Sequence, residues 1–126
     1  MICFSKEQII LLHDLAISET GGTPGLRDSS LLESALGAPF QTFDGEDLYP
    51  SIYQKAARLG FGLAQNHAFI DGNKRIGALT MISMLEANNI EITYTQNELV
   101  DLFLNISNSL VDVEFVTKWI IDHIQY

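Results

Sequence analysis

The chain has 126 residues, 47% hydrophobic and 18% charged, a balance that excludes disorder and low complexity and suits one domain spanning residues 1–126. Sixteen acids against seven bases give a formal charge of −9, which repels nucleic acid and anionic lipid and favours a basic partner segment. The longest apolar run, "IGALTMISML" at 76–85, is roughly half of a membrane span, and "MICFSKEQ" has no signal-peptide pattern. These features predict a cytoplasmic protein without direct nucleic-acid or membrane contact, with the single Cys3 an inert core or near-terminal residue.

Ser5 with Gln8 three residues on forms a capping-box pattern, and Ile9, Leu12 and Ala16 recur at helical spacing, which predicts a first helix over about 6–19. "GGTPG" at 21–25 ends it, and Asp28 or Ser29 can cap a second helix, "SLLESALG", terminated by Gly37 and Pro39. "FQTFDGEDLYP" at 40–50 is acidic and aromatic without a clear period, and is expected to be a solvated loop. From Ser51, Ile52, Ala56, Leu59 and Leu63 share one face of a third helix. Its small residues Ala56, Ala57, Gly60, Gly62 and Ala64 permit a neighbour to approach closely, which makes it a candidate central element.

A fourth helix, over about 73–88, is apolar nearly all round through Ile76, Leu79, Met81, Ile82, Met84 and Leu85, so it should be buried. "NNIEITYT" suits a short extended piece or hairpin arm. Thr95 with Glu98 opens a fifth helix carrying Leu99, Leu102, Phe103 and Ile106, and Asp112 caps a sixth, where Val116, Trp119, Ile120 and His123 line one stripe. The sum is an all-α, compact single-domain bundle of about six helices.

"HAFIDGNKRIG" at 67–77 lies between the third and fourth helices and runs into the N-terminus of the more buried one. A helix N-terminus offers unsatisfied N–H groups and a positive dipole end, which together bind phosphate. Gly72 lets the backbone approach a ligand, Asn73 can donate its side-chain amide, and Arg75 can offer a bidentate fork to phosphate oxygens. Lys74 and Arg75, two of seven cations, stand where the helix dipole disfavours them unless an anion is bound. Asp71 suits the single carboxylate of a Mg²⁺ site that leaves room for phosphate oxygens. Neutral imidazole is matched to proton abstraction near neutral pH, which makes His67 the candidate general base. Phe69 between them should anchor the loop in the core. His13 and His123 are expected to be structural or surface residues, and no H-E-x-x-H or cysteine cluster supports zinc chemistry.

"HAFIDGNKR" resembles the signature of the Fic/Doc family, in a form that fits both H-x-F-x-[DE]-G-N-[GK]-R and H-x-F-x-[DN]-[AG]-N-K-R. The resemblance extends through "LHDLAI" (12–17), "GGTPGLRDSSLLESAL" (21–36) and "PFQTF" (39–43), which look like the death-on-curing (Doc) branch. It implies a bundle of about six helices whose motif binds a nucleotide and transfers part of it to a hydroxyl of a target protein. Matching positions imply His67 as the base, Asp71 as the Mg²⁺ ligand, and Gly72, Asn73, Lys74 and Arg75 as the phosphate cradle.

Family members that transfer AMP usually carry glycine where this chain has Lys74, and a second arginine where it has Ala78. Both departures favour the Doc branch, for which the resemblance implies γ-phosphate transfer from ATP to a serine or threonine of a translation factor, elongation factor Tu being the family's type of target. No [ST]-x-x-x-E-[GN] self-inhibitory helix is present, since "SLLES" and "TFDGED" lack its final residue. Inhibition is therefore expected in trans, from an antitoxin whose segment orders on binding. The alternatives are AMP transfer by the same site, and a catalytically silent antitoxin-binding module that retains the motif.

Overall fold

In the computed structural model of the protein, which describes Met1 and residues 3–124, most helices begin where a short polar side chain caps them. Ser5 opens α1 (Lys6–Thr20) and Ser51 opens α3 (Ile52–Asn66), each through a complete capping box. Asp28 caps α2 (Ser29–Gly37) by accepting from the Ser30 and Leu31 N–H groups. Thr95 with Glu98 opens α5 (Gln96–Ser107), and Asp112 opens α6 (Val113–Asp122). The exception is α4 (Asn73–Ala87): Gly72 precedes it at φ 76°, and no side chain caps its N-terminus.

The all-α expectation stands, with one addition at 40–50, where a solvated loop was expected. After a 3-10 turn over Ala38–Phe40, β1 (Thr42–Phe43) pairs antiparallel with β2 (Glu46–Asp47) across an Asp44-Gly45 turn, both turn residues at positive φ. Two-residue strands are too short to show an alternating pattern, so only the Asp-Gly pair signalled them. Lys55, on α3 and only 5% exposed, anchors the hairpin. Its Nζ donates to Asp47 Oδ2 at 3.2 Å, to the Pro39 carbonyl at 3.3 Å and to the Tyr49 carbonyl. "NNIEITYT" makes an isolated bridge, Ile92 to Ile124, beside a bond from the Thr93 N–H to the His123 carbonyl at 2.8 Å.

α3 is the central element, packed against α2, α4, α5 and α6. One core cluster draws on all six helices, including Ile9, Leu32, Leu63, Met81, Phe103 and Ile120. α3 and α4 approach closely at two glycines: a Cβ on Gly77 would meet the Gly60 carbonyl oxygen at 2.7 Å, and one on Gly60 would meet Met81 Cβ at 2.9 Å. α4 is buried along Ile76, Met81, Met84 and Leu85, but Leu79 is exposed, contrary to its expected place in the core. Trp119 is half-buried and Cys3 is exposed near the terminus, not in the core. Among the described residues, no helix is long and apolar enough to cross a membrane.

Candidate active site

α3 ends at His67, whose φ of 53° and ψ of 44° are left-handed and turn the chain sharply toward α4. Phe69 then points into the core, 1% exposed, and its ring stacks on His13 at 3.8 Å between centroids. Asn73, at the start of α4, holds the loop closed. Its Oδ1 accepts from the Phe69 N–H and its Nδ2 donates to the Phe69 carbonyl, both at 3.0 Å. The amide expected to donate to an anion thus engages one of its two N–H groups within the loop.

Asp71 is exposed, and its two carboxylate oxygens accept from the Thr23 N–H at 3.0 Å and the Gly72 N–H at 2.8 Å. These two bonds, Thr23 first, hold its carboxyl below the usual carboxylate range, with Arg75 and His13 adding to the effect. Each oxygen keeps a lone pair for a further partner, so the ionised side chain fits a single Mg²⁺ contact. No group of three or more His, Cys, Asp or Glu among the described residues could hold a metal, so a cation here would draw its other ligands from phosphate or water. Lys74 and Arg75 are both exposed, Arg75 donating from Nη1 to the Gly21 carbonyl at 2.9 Å.

The structure brings every expected site residue to one groove of about 910 Å³. His67, Asp71, Gly72, Asn73, Lys74 and Arg75 line one end. Leu79 and Ile82 of α4 face Leu99, Val100, Phe103 and Leu104 of α5 along the rest. The uncapped start of α4 therefore opens into the groove together with the His67 imidazole, the Asp71 carboxylate and the Lys74 and Arg75 side chains. Such an arrangement can bind a phosphate chain, neutralise its charge and deprotonate an incoming hydroxyl.

Residues 3–85 match the Fic/DOC family. The chain belongs to that family. Its relatives include Toxin Doc of Mycolicibacterium smegmatis, 40% identical over 87 residues that span 69% of this chain and 65% of that protein. Protein kinase doc of Escherichia phage P1 is 29% identical over 112 residues, 89% of this chain and 87% of that one.

Around this Fic/DOC motif stand three residues that sequence reasoning did not assign to the site. Arg27 donates from Nε to the His67 carbonyl at 2.8 Å, and Thr23 binds Asp71 as described. His13, 1% exposed, donates from Nε2 to the Asp71 carbonyl at 2.7 Å, while its Nδ1 has no partner among the described residues. Beyond the resemblance that runs through 12–17 and 21–36, the glycine-rich run 21–25 was a physical signal, because so many glycines imply a backbone that must pass close to something.

Proposed function

We propose that the protein is the toxin of a toxin–antitoxin pair and transfers the γ-phosphate of ATP to a serine or threonine hydroxyl of a translation factor of the elongation factor Tu type. The observation that carries the reading is the groove in which His67, Asp71 and the uncapped N-terminus of α4 converge. In this reading the exposed His67 imidazole takes the proton of the target hydroxyl, whose oxygen attacks the γ-phosphorus as the bond to the ADP oxygen breaks. The backbone N–H groups of Asn73 and Lys74 and the Arg75 guanidinium bind the phosphates, and Asp71 would hold a Mg²⁺ ion, which would supply neutralisation of phosphate charge. Lys74 in the phosphate path and the small Ala78 beyond it favour phosphoryl over AMP transfer.

The names of the two relatives support the toxin and kinase parts of the reading. The apolar wall of the groove supports an antitoxin acting in trans, since Leu79, Val100 and Leu104 are 38%, 46% and 41% exposed. A basic antitoxin segment with apolar residues at helical spacing fits both that wall and the charge of −9.

The test is incubation of the protein and Mg²⁺ with a bacterial lysate, using ATP labelled in parallel at the γ- or the α-phosphate. Label from the γ position should appear on one band and vanish with His67→Asn, a substitution that tolerates the left-handed backbone while removing the base. Label from the α position would establish AMP transfer instead, and label from neither would favour a silent module.

A further inference from the structure

The charged residues of the motif do not stand on α4 alone. Arg27 Nε binds the His67 carbonyl, Thr23 N–H binds Asp71 Oδ2, and the Gly21 carbonyl receives Arg75 Nη1, at 2.8, 3.0 and 2.9 Å. Three residues with three separate roles are thus each bonded to the same upstream loop. Backbone bonds reinforce the contact: Arg27 N–H and Asp28 N–H donate to the Ala68 carbonyl at 2.7 and 3.0 Å, and Ile70 N–H donates to the Gly25 carbonyl at 3.1 Å. At Gly22, with φ of 118°, a Cβ would lie 2.7 Å from Asp71 Oδ2, so only glycine lets the loop pass this close to the carboxylate.

We infer that the Gly21–Arg27 loop is a positioning element of the site, setting His67, Asp71 and Arg75 relative to one another. The inference rests on the phosphoryl-transfer reading for the roles of those three residues, and on the bonds themselves for the grip. Its sharpest point is Arg27. His67 occupies a backbone conformation that non-glycine residues rarely adopt, and the guanidinium holds its carbonyl from outside the core. Because Arg27 is exposed, its removal leaves no cavity, so positioning can be separated from folding.

The experiment compares Arg27→Met, Arg27→Lys and Gly22→Ala with the wild type, measuring kcat, KM for ATP and thermal midpoint, with Mn²⁺ binding in the presence of ATP followed by its spin resonance. Arg27→Met should lower kcat about tenfold or more with KM and Mn²⁺ binding near wild type, because a displaced base costs turnover, not affinity. Arg27→Lys, whose amine can donate to the same carbonyl, should recover part of the loss. Gly22→Ala should weaken Mn²⁺ binding by about tenfold, through the displaced Asp71. Unchanged behaviour in both variants overturns the inference, as does a uniform fall of kcat, binding and thermal midpoint, which would mark the loop as merely structural. Amide exchange at Thr23, Arg27 and Ile70 in the unliganded wild type should be slow, and free-loop rates there would overturn the grip. This last measurement needs no turnover, so it decides the matter even where neither label is transferred.

Discussion

Asn73 is only 9% exposed, and both ends of its amide serve one residue, Phe69, itself 1% exposed. Removing that amide leaves a buried N–H and a buried C=O unpartnered, each at a cost of about 1–3 kcal/mol. Asn73→Ala should therefore lower the urea midpoint of unfolding as well as any activity, whereas a pure ligand residue would lower activity alone. From the sequence, Asn73 looked like one more anion contact, because an asparagine at a helix start is equally suited to a ligand and to a backbone. His67, Asp71, Gly72 and Arg75 were legible as a group because their chemistry is unusual in combination; the brace beneath them was not, because its partner is a main chain with no sequence of its own.

The seam between α3 and α4 sets the opposing helices close enough for the motif loop to span them. Gly77→Ala gains about 1 kcal/mol of helix propensity. Against this, the new methyl would sit 2.7 Å from the Gly60 carbonyl oxygen and 3.1 Å from Phe103 Cε1, neither of which is the free end of a flexible chain. Overpacking of this kind costs about 1–3 kcal/mol, so the packing term is expected to win and Gly77→Ala to destabilise, as read from chemical denaturation. The small residues of the third helix announced such a contact in the sequence, and the caps at Ser5, Asp28, Thr95 and Asp112 announced the starts of their helices, because both signals act within a turn or two. The hairpin at Thr42–Asp47 escaped notice because its strands are only two residues long, and the bonds from Gly21–Arg27 to the motif because they depend on distant segments meeting.

At the scale of the molecule, the start of α5 is clasped to the end of α6. His123 Nδ1 lies 2.7 Å from the Trp119 carbonyl and Nε2 2.8 Å from Glu98 Oε2, two acceptors to which the ring donates together only when protonated. The ring stacks on Trp119, which in turn touches Tyr94 on the wall of the groove. The bond from His123, with the Thr95 N–H, holds Glu98 down at about 2 from an ordinary 4.5, so its contribution is present above pH 4.5 and is lost as pH falls toward 2. For His123, burial disfavours the charge, but the bonds to Glu98 and Trp119 outweigh it and raise the pKa above 6.5. Its contribution is full below pH 6.5 and disappears as pH rises through the folded value. The difference in thermal midpoint between wild type and His123→Phe, which keeps the stacking, should be greatest between about pH 4.5 and 6.5 and shrink on either side. A difference that stays constant from well below pH 4.5 to well above pH 6.5 would assign the clasp to packing alone.

The bonds that secure His67, Asp71 and Arg75 come from residues 40, 48 and 54 positions upstream. The motif is consequently not portable: grafting "HAFIDGNKR" between two helices of another scaffold would copy its letters and leave its histidine, aspartate and arginine untethered. The transplantable unit is the whole bundle: α1 supplies His13, α5 the far wall of the groove, and α6 closes the core on α3 with Val116 and Ile120.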